Sequence, residues 1–434
     1  MKKILIITYY WPPSGGPGVQ RILKFAQYLP EFGYLPYIIT VDENKASYPI
    51  KDNSLLNDIP KEVTVFKTNT FEPYGIYARF TQKKQIPYSG FANESSPGLI
   101  QKLRRFIRGN MFVPDARKGW NKYAYDKAKE LIAIENFNAI ITSSPPHSSQ
   151  LIGLKLKQET GLPWIADLRD PWTDIYYYKE LMHLGFARKK DALYEKMVLE
   201  KADHIITVGE DIKRIFLKKS IILHENKFHV IPNGYDENDF SFIPSPSSNQ
   251  FIITYTGTLA ANYGIENFIH VVAEIIKENK DINFLIRFVG EIASTVKERI
   301  SNNGLDENVI YINHVPHKDS IVFMLNTTVL LLAIPKIKNN EGIVTGKIFE
   351  YLASRKPIIC IGPEHGDASK IINECSAGMT FSYEEKVKLK TYINRLIEIW
   401  KQNINLDNKK EVHLKYTRKM QAEELSKIIE SNCL

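Results

Sequence analysis

The sequence predicts a two-domain α/β protein in which parallel sheets are wound on both faces by helices. Three observations lead there. Short, nearly continuous Ile/Val runs alternate with helical patterns, the scheme occurs twice, and a polar Pro/Ser-rich stretch separates the two rounds. A strand that is apolar on both faces is buried on both, which in an alternating strand–helix chain means a parallel sheet under helices. The length of 434 residues suits two to three domains.

In the first round the strands are "KILIITY" (3–9), "PYIITV" (36–41), "VTVFKT" (63–68), "NAIITSS" (138–144), "WIADL" (164–168), "HIITV" (204–208) and "FHVIP" (228–232). Helical patterns at 17–32, 120–135, 148–160 and 188–202 separate most of them. The second round reads "FIITYTG", "NFLIRFVG", "VIYINHV", "TVLLLAI", "KPIICIG" and "GMTFSY". The stretch 233–250, "NGYDENDFSFIPSPSSNQ", reads as a linker between domains at 1–235 and 251–410. Residues 411–434 form a last helix, and two-domain folds of this kind often return such a helix to the first domain. Two doubly wound domains facing each other place a cleft at the carboxyl ends of both sheets.

Composition narrows the class. With 44% hydrophobic and 24% charged residues the chain is an ordinary globular one, and no apolar run reaches the roughly 18 residues of a membrane span. "KILII" gives way to polar "TYY" too soon for a signal peptide. Cys360, Cys375 and Cys433 are few and unpaired by spacing, so a reducing cytoplasm and no zinc site are expected. Residues 1–235 hold 34 Lys/Arg against 24 Asp/Glu, whereas 236–434 hold 23 against 25. The basic half is therefore expected to meet something anionic, a nucleic acid or a membrane surface. The chain has no recognised nucleic-acid motif and no aromatic-basic array, which disfavours the first.

"YYWPPSGGPGVQRILKF" (9–25) puts a glycine cluster between a strand and a helix. A dinucleotide fingerprint is a weak match, because Arg21 stands where the third glycine belongs and Tyr9 to Ser14 delay the turn; Asp42 would be its ribose-binding acid. The favoured reading is a long loop whose amides at Gly15 and Gly16 face a phosphate-bearing ligand at a helix N-terminus.

Four segments, in this order along the chain, carry a resemblance: "SGGPGVQRILKFAQYLPEFGY", "EKMVLEKADHIITVGEDIKRIF", "VIPNGYDENDF" and "TGKIFEYLASRKPII". The chain resembles family 4 of the retaining glycosyltransferases, over nearly its whole length. The resemblance implies a GT-B fold, a C-terminal domain that holds a nucleotide diphosphate sugar, an N-terminal domain that presents the acceptor, and transfer with retention. Glu350 matches the family's second glutamate, which binds the ribose hydroxyls; a carboxylate can accept two hydrogen bonds from a vicinal diol. Glu341 is the candidate first glutamate, with eight residues between the two where the family commonly has seven. After "YTG" the family often carries an arginine and then a lysine on the diphosphate; here Gly257 is followed by Thr258, and Tyr263 takes the later place.

The growing charge of the leaving diphosphate needs other donors. Lys347 is the nearest, in the first turn of a helix opened by Thr345 and Gly346, with Arg287 and Arg21 as lesser candidates. His147, in "SSPPHSS", matches a polar position near the transferred sugar, the alternative being that Ser148 or Ser149 caps the helix there. Asp167, Arg169 and Asp170 end a strand where ligands bind in such sheets, and Asp170 is the candidate to orient or deprotonate the acceptor hydroxyl. No Asp-x-Asp is present, so no metal or other cofactor is expected. Double displacement needs a carboxylate nucleophile that no residue here is assigned to supply, which leaves a front-face mechanism as the fallback.

The expected partners are a nucleotide sugar and a lipid-linked glycan of cell-surface polysaccharide assembly, met at the inner face of a membrane. Residues 99–112 support the membrane, with Leu99, Ile100, Leu103, Phe106 and Ile107 at helical spacing, flanked by Lys102, Arg104, Arg105 and Arg108. Packing of that apolar face on the core is the alternative. A GT-B nucleotide-sugar epimerase and a non-enzymatic nucleic-acid-binding protein are the rival functions.

Overall fold

The computed structural model describes residues 1–72, 99–240 and 249–431. They form two compact units, Met1–Asn233 with the terminal helix Arg418–Ser431, and Gly234–Thr417. Cys433 lies outside the described residues.

The first unit is a seven-stranded parallel sheet: β1 (Lys2–Ile7), β2 (Tyr34–Val41), β3 (Thr64–Thr68), β4 (Phe137–Ser144), β5 (Trp164–Leu168), β6 (His204–Thr207) and β7 (Phe228–Val230), in the order β3-β2-β1-β4-β5-β6-β7. The register sets Ile7 opposite Ile39 on one side and Thr142 on the other. The order reverses between β1 and β4, and at such a switch the loops leaving the carboxyl ends diverge and open a crevice.

The helices here are α1 (Pro17–Tyr28), α2 (Leu99–Met111), α3 (Asn121–Ile134), α4 (Ser148–Thr160), α5 (Gly185–Lys201) and α6 (Glu210–Leu217). Residues Leu5, Ile7 and Ile140 belong to the core on one face of the sheet, and Ile4, Ile6 and Ile141 to that on the other. Alternation along a two-face-buried strand produces the continuous Ile run.

The second unit is a six-stranded parallel sheet: β8 (Phe251–Thr256), β9 (Phe284–Val289), β10 (Val309–Ile312), β11 (Val329–Ala333), β12 (Ile358–Ile361) and β13 (Gly378–Phe381), in the order β10-β9-β8-β11-β12-β13. Its helices are α7 (Glu266–Glu278), α8 (Ser294–Asn302), α9 (His317–Leu325), α10 (Lys347–Ser354), α11 (Asp367–Glu374) and α12 (Val387–Lys401). The switch lies between β8 and β11.

Two boundary expectations change. The start of the expected linker is packed structure: Tyr235 is buried, stacks on His413 and donates its amide to the Tyr416 carbonyl at 3.2 Å. The rest of it, 241–248, lies outside the described residues. The expected terminal helix is two pieces. A 3-10 turn, Val412–Tyr416, belongs to the second unit, and α13 (Arg418–Ser431) belongs to the first. There Ala422, Leu425 and Ile429 join Ile22, Phe25 and Ala26 of α1 in one apolar cluster.

Candidate active site

In the second unit β8 and β9 both run into glycine. Gly257 has φ 90° and Gly290 φ 124°, in the region that side chains other than glycine rarely adopt. A Cβ on Gly290 would lie 2.5 Å from the Gly257 carbonyl oxygen, and one on Gly257 would lie 2.5 Å from Cε of Lys347. The space above Gly257 is thus occupied by the lysine stem. The Lys347 ammonium donates to Tyr255 Oη at 2.7 Å and points to the Thr258 carbonyl at 3.4 Å, while Tyr255 Oη itself donates to that carbonyl at 2.7 Å. Thr258 enters through its backbone. Burial pushes the Lys347 pKa down to about 7, against a smaller opposing pull from the Glu350 carboxylate.

Lys347 opens α10, whose position follows from its apolar side. Ile348, Phe349, Tyr351 and Leu352 are buried, and Tyr351 Oη accepts the Thr256 amide at 3.0 Å, tying the helix to the end of β8. Gly346 is the N-cap and offers no side chain, and the buried Thr345 Oγ1 has no hydrogen-bond partner. The helix therefore begins with amides that no side chain caps. One turn in, Glu350 Oε1 meets His317 Nε2, the first residue of α9, at 2.9 Å, with both side chains partly exposed. Sequence reading missed His317, which stands 33 positions away; only packing of α9 against α10 brings the pair together. Glu341 lies exposed in the loop before α10, where its carbonyl accepts the Asp367 amide at 2.8 Å.

Arg287 corrects an expectation. It lies mid-strand in β9, is buried, donates to the Asn326 carbonyl at 3.2 Å and stacks on Phe323. Its guanidinium meets a carbonyl at the C-terminal end of α9, where a cation suits the helix dipole, and it is committed to packing.

In the first unit Arg21 and Asp167 are both buried. Arg21 donates to Asp167 Oδ1 from Nη2 at 3.0 Å and from Nε at 3.3 Å, and to the Pro232 carbonyl at 2.7 Å. Ser143 Oγ donates to Asp167 Oδ2 at 2.7 Å. These two are structural beneath the glycine loop, which corrects their assignment to substrate. It also removes the dinucleotide reading, since the third fingerprint position is a buried ion pair.

Arg169 sits higher. It donates to the Ser144 carbonyl at 3.0 Å and the Pro145 carbonyl at 3.3 Å, and its guanidinium fills the place a Cβ on Gly18 would take. Gly18 is glycine because Arg169 needs the space. Gly16, at φ 105°, is the N-cap of α1 and gives no side-chain cap; Gly15 donates its amide to the Ile50 carbonyl at 3.1 Å. Asp170 is half-buried, and burial raises its pKa against the attraction of Arg169.

His147 stacks on Trp172 with ring centroids 4.6 Å apart, and its buried Nδ1 has no hydrogen-bond partner. Burial, then Arg169, pushes its pKa down to about 3, so at neutral pH it is an uncharged imidazole. The cap of α4 comes from elsewhere. Asp115 accepts the Ser148 amide at 2.7 Å and the Ser148 hydroxyl at 2.8 Å, so neither Ser148 nor Ser149 caps the helix with its own oxygen.

His147, Trp172, Tyr10, Arg108, Tyr177 and Asp191 are among the residues lining a pocket of about 140 Å³. Asp191 accepts Trp172 Nε1 at 2.8 Å and Tyr178 Oη at 2.9 Å, and burial lifts its pKa to about 6. Sequence reading missed Tyr177, Tyr178 and Asp191, which come from a 3-10 turn and from α5.

Known proteins match both units. Residues 18–239 match the family described as Glycosyltransferase Family 4, and residues 236–413 that described as Glycosyl transferases group 1. "Probable glycosyltransferase WbjE" of Pseudomonas aeruginosa is 19% identical over 332 residues, 73% of this chain and 75% of that one. Among solved structures, HepE of Anabaena, determined in complex with UDP-glucose, superposes with a TM-score of 0.60 at 13% identity, covering 99% of this chain and 100% of that one. Sucrose-phosphate synthase of Thermosynechococcus elongatus gives 0.62 at 14% identity, covering 99% of each. Neither the epimerase nor the nucleic-acid reading is favoured by these matches.

Proposed function

This chain belongs to glycosyltransferase family 4 and has the GT-B fold, and on that premise we propose that it moves a sugar, with retention, from a nucleotide diphosphate sugar to a hydroxyl of a lipid-linked glycan. The observation that carries the donor half is the start of α10. An ammonium held by neutral oxygens and the orphaned Thr345 hydroxyl come together there beside Gly257, at the positive end of a helix that no side chain caps. Such a set suits a diphosphate, and Lys347 stabilises it most as its charge grows during bond cleavage. Glu350, oriented by His317, takes the ribose diol. With that cation in place the reaction is proposed to proceed without a divalent metal, and turnover is expected to survive EDTA.

On the acceptor side, the aromatic pocket at His147 suits a sugar ring, and Asp170 is assigned the acceptor hydroxyl. A lipid-linked acceptor, and with it a role in cell-surface polysaccharide assembly at the inner face of a membrane, is supported by the basic excess of residues 1–235. Thermal melting with a panel of UDP-, GDP- and ADP-sugars tests the donor reading, because a ligand of the native state raises its stability. One sugar nucleotide should raise the melting temperature in the native chain and not in Glu350→Ala. Indifference to all of them would sink the reading. The anomeric configuration of the product, read by NMR, tests retention.

A further inference from the structure

We propose that the outer faces of α2 and α5 form one docking surface for an anionic lipid bilayer. This goes beyond the transfer reaction and does not depend on it. The sequence alone sets the headgroup contacts on Lys102, Arg104, Arg105 and Arg108. The Arg104 side chain lies outside the described residues, and the structure turns two of the others inward. Arg105 is buried against Glu180 at 2.5 Å, Arg108 lines the aromatic pocket, and Gly109 packs directly on the Leu181 backbone. The side of α2 that carries Arg105 and Gly109 is thus the inner one.

What α2 turns outward is Leu103, Ile107 and Met111, at positions i, i+4 and i+8. Beside them α5 turns out Phe186 and Leu193, and all five are between 40% and 66% exposed. The two helices are stitched together: Asn110 Nδ2 donates to the Met182 carbonyl at 3.1 Å, and its Oδ1 accepts the Leu184 amide at 2.6 Å. Lys118 bridges further, donating to the Met111 carbonyl at 2.9 Å and lying near enough to Lys190 for the two charges to repel.

Charge selects the occupant. The same two helices expose Lys102, Arg188, Lys189 and Lys190, and of these Lys189 and Lys190 stand three or four residues from both Phe186 and Leu193, on the outward face of α5. Among the described residues, Asp191 and Glu195 are buried inward from α5 and Glu180 is paired with Arg105. Aliphatic and aromatic groups bordered by cations suit the boundary between acyl chains and anionic headgroups. Among the described residues no helix is long and apolar enough to cross a membrane, so such a surface would act as a peripheral contact.

The test is co-sedimentation of the full chain with vesicles of phosphatidylcholine alone and of phosphatidylcholine with phosphatidylglycerol, at low and high salt. Binding is expected to the anionic vesicles only and to weaken with salt. The combined change Lys102→Glu, Lys189→Glu, Lys190→Glu should lower partitioning roughly a hundredfold. Ile107→Ser with Phe186→Ser should lower it roughly tenfold or more at either salt. These side chains are exposed, so melting temperature and the response to sugar nucleotides should stay as in the native chain, which separates failure here from failure of the transferase reading. The proposal is overturned if the native chain ignores anionic vesicles or if the triple variant binds them equally well. It is also overturned if sedimentation velocity shows a dimer that Phe186→Ser abolishes, which would make a second copy the occupant.

Discussion

The two units share a sheet design and treat charge at its carboxyl end in opposite ways. In the first, two buried arginines are closed by carboxylates, Arg21 by Asp167 and Arg117 by Glu72 at 3.2 Å, while Arg169 rests on two carbonyls. In the second, Lys347 meets a phenol and a carbonyl, and Glu350 meets an imidazole. A buried cation with its own carboxylate has nothing left for a ligand, and removing either partner strands the other. A lysine with no carboxylate bonded to it leaves that place to an incoming anion. Arg21 and Arg117 therefore serve the fold, whereas Lys347 is available to a ligand.

The sharpest way to break this comparison is to delete the paired cation. Arg21→Ala leaves Asp167 charged and buried, which should cost about 3–5 kcal/mol of stability, read by urea unfolding. An unchanged midpoint would mean that the pair is not structural.

Lys347→Met should do the reverse, leaving the fold intact while lowering kcat by about 10²–10³-fold. A change confined to KM would instead indicate uniform binding. The pH dependence follows from the pKa near 7. Because the folded state disfavours the charged lysine, the native chain is penalised fully below about pH 7 and not at all above the ordinary value of 10.5. The methionine variant should therefore gain more in melting temperature, relative to the native chain, at neutral pH than near 10.5. A bound diphosphate restores the ammonium, so sugar-nucleotide affinity should be highest below about pH 7 and decline above it, with proton uptake in calorimetry. Lys347→Met should abolish that decline.

Smaller effects sharpen the second unit's side. Glu350→Ala should weaken sugar-nucleotide binding by roughly 1.5–3 kcal/mol, the value of a hydrogen bond to a charged group. His317→Ala removes the partner that orients Glu350 and should cost about 1 kcal/mol. In the double variant the two losses should not add, because the histidine has nothing left to orient. Additive losses would show that His317 touches the ligand itself.

How far the site was legible follows from the range of each interaction. Glu350 and Lys347 could be read because they lie within four residues on one helix start, and a short motif preserves that geometry. Arg287 and Arg21 were misread because a cation looks the same in sequence whether it faces a ligand or a neighbouring helix. His317 and Asp191 left no local trace, since each acts through a partner brought to it by packing.

The alternation of apolar strands and helices, the two rounds and the break between them follow from local periodicity and burial, so the sequence alone determined the two parallel sheets. The rule that short right-handed crossovers bring successive strands together covers most neighbours, but the reversals beside β1 and β8 break it, since β3 and β4, and β10 and β11, are successive in the chain without pairing. Tertiary structure decided which charges are spent. Whether Arg105 greets solvent or Glu180, whether Gly18 yields to Arg169, and whether Lys347 meets a carboxylate or a phenol depend on contacts between segments far apart in the chain. Their energies come from desolvation and pairing at close range, which no local pattern of residues records.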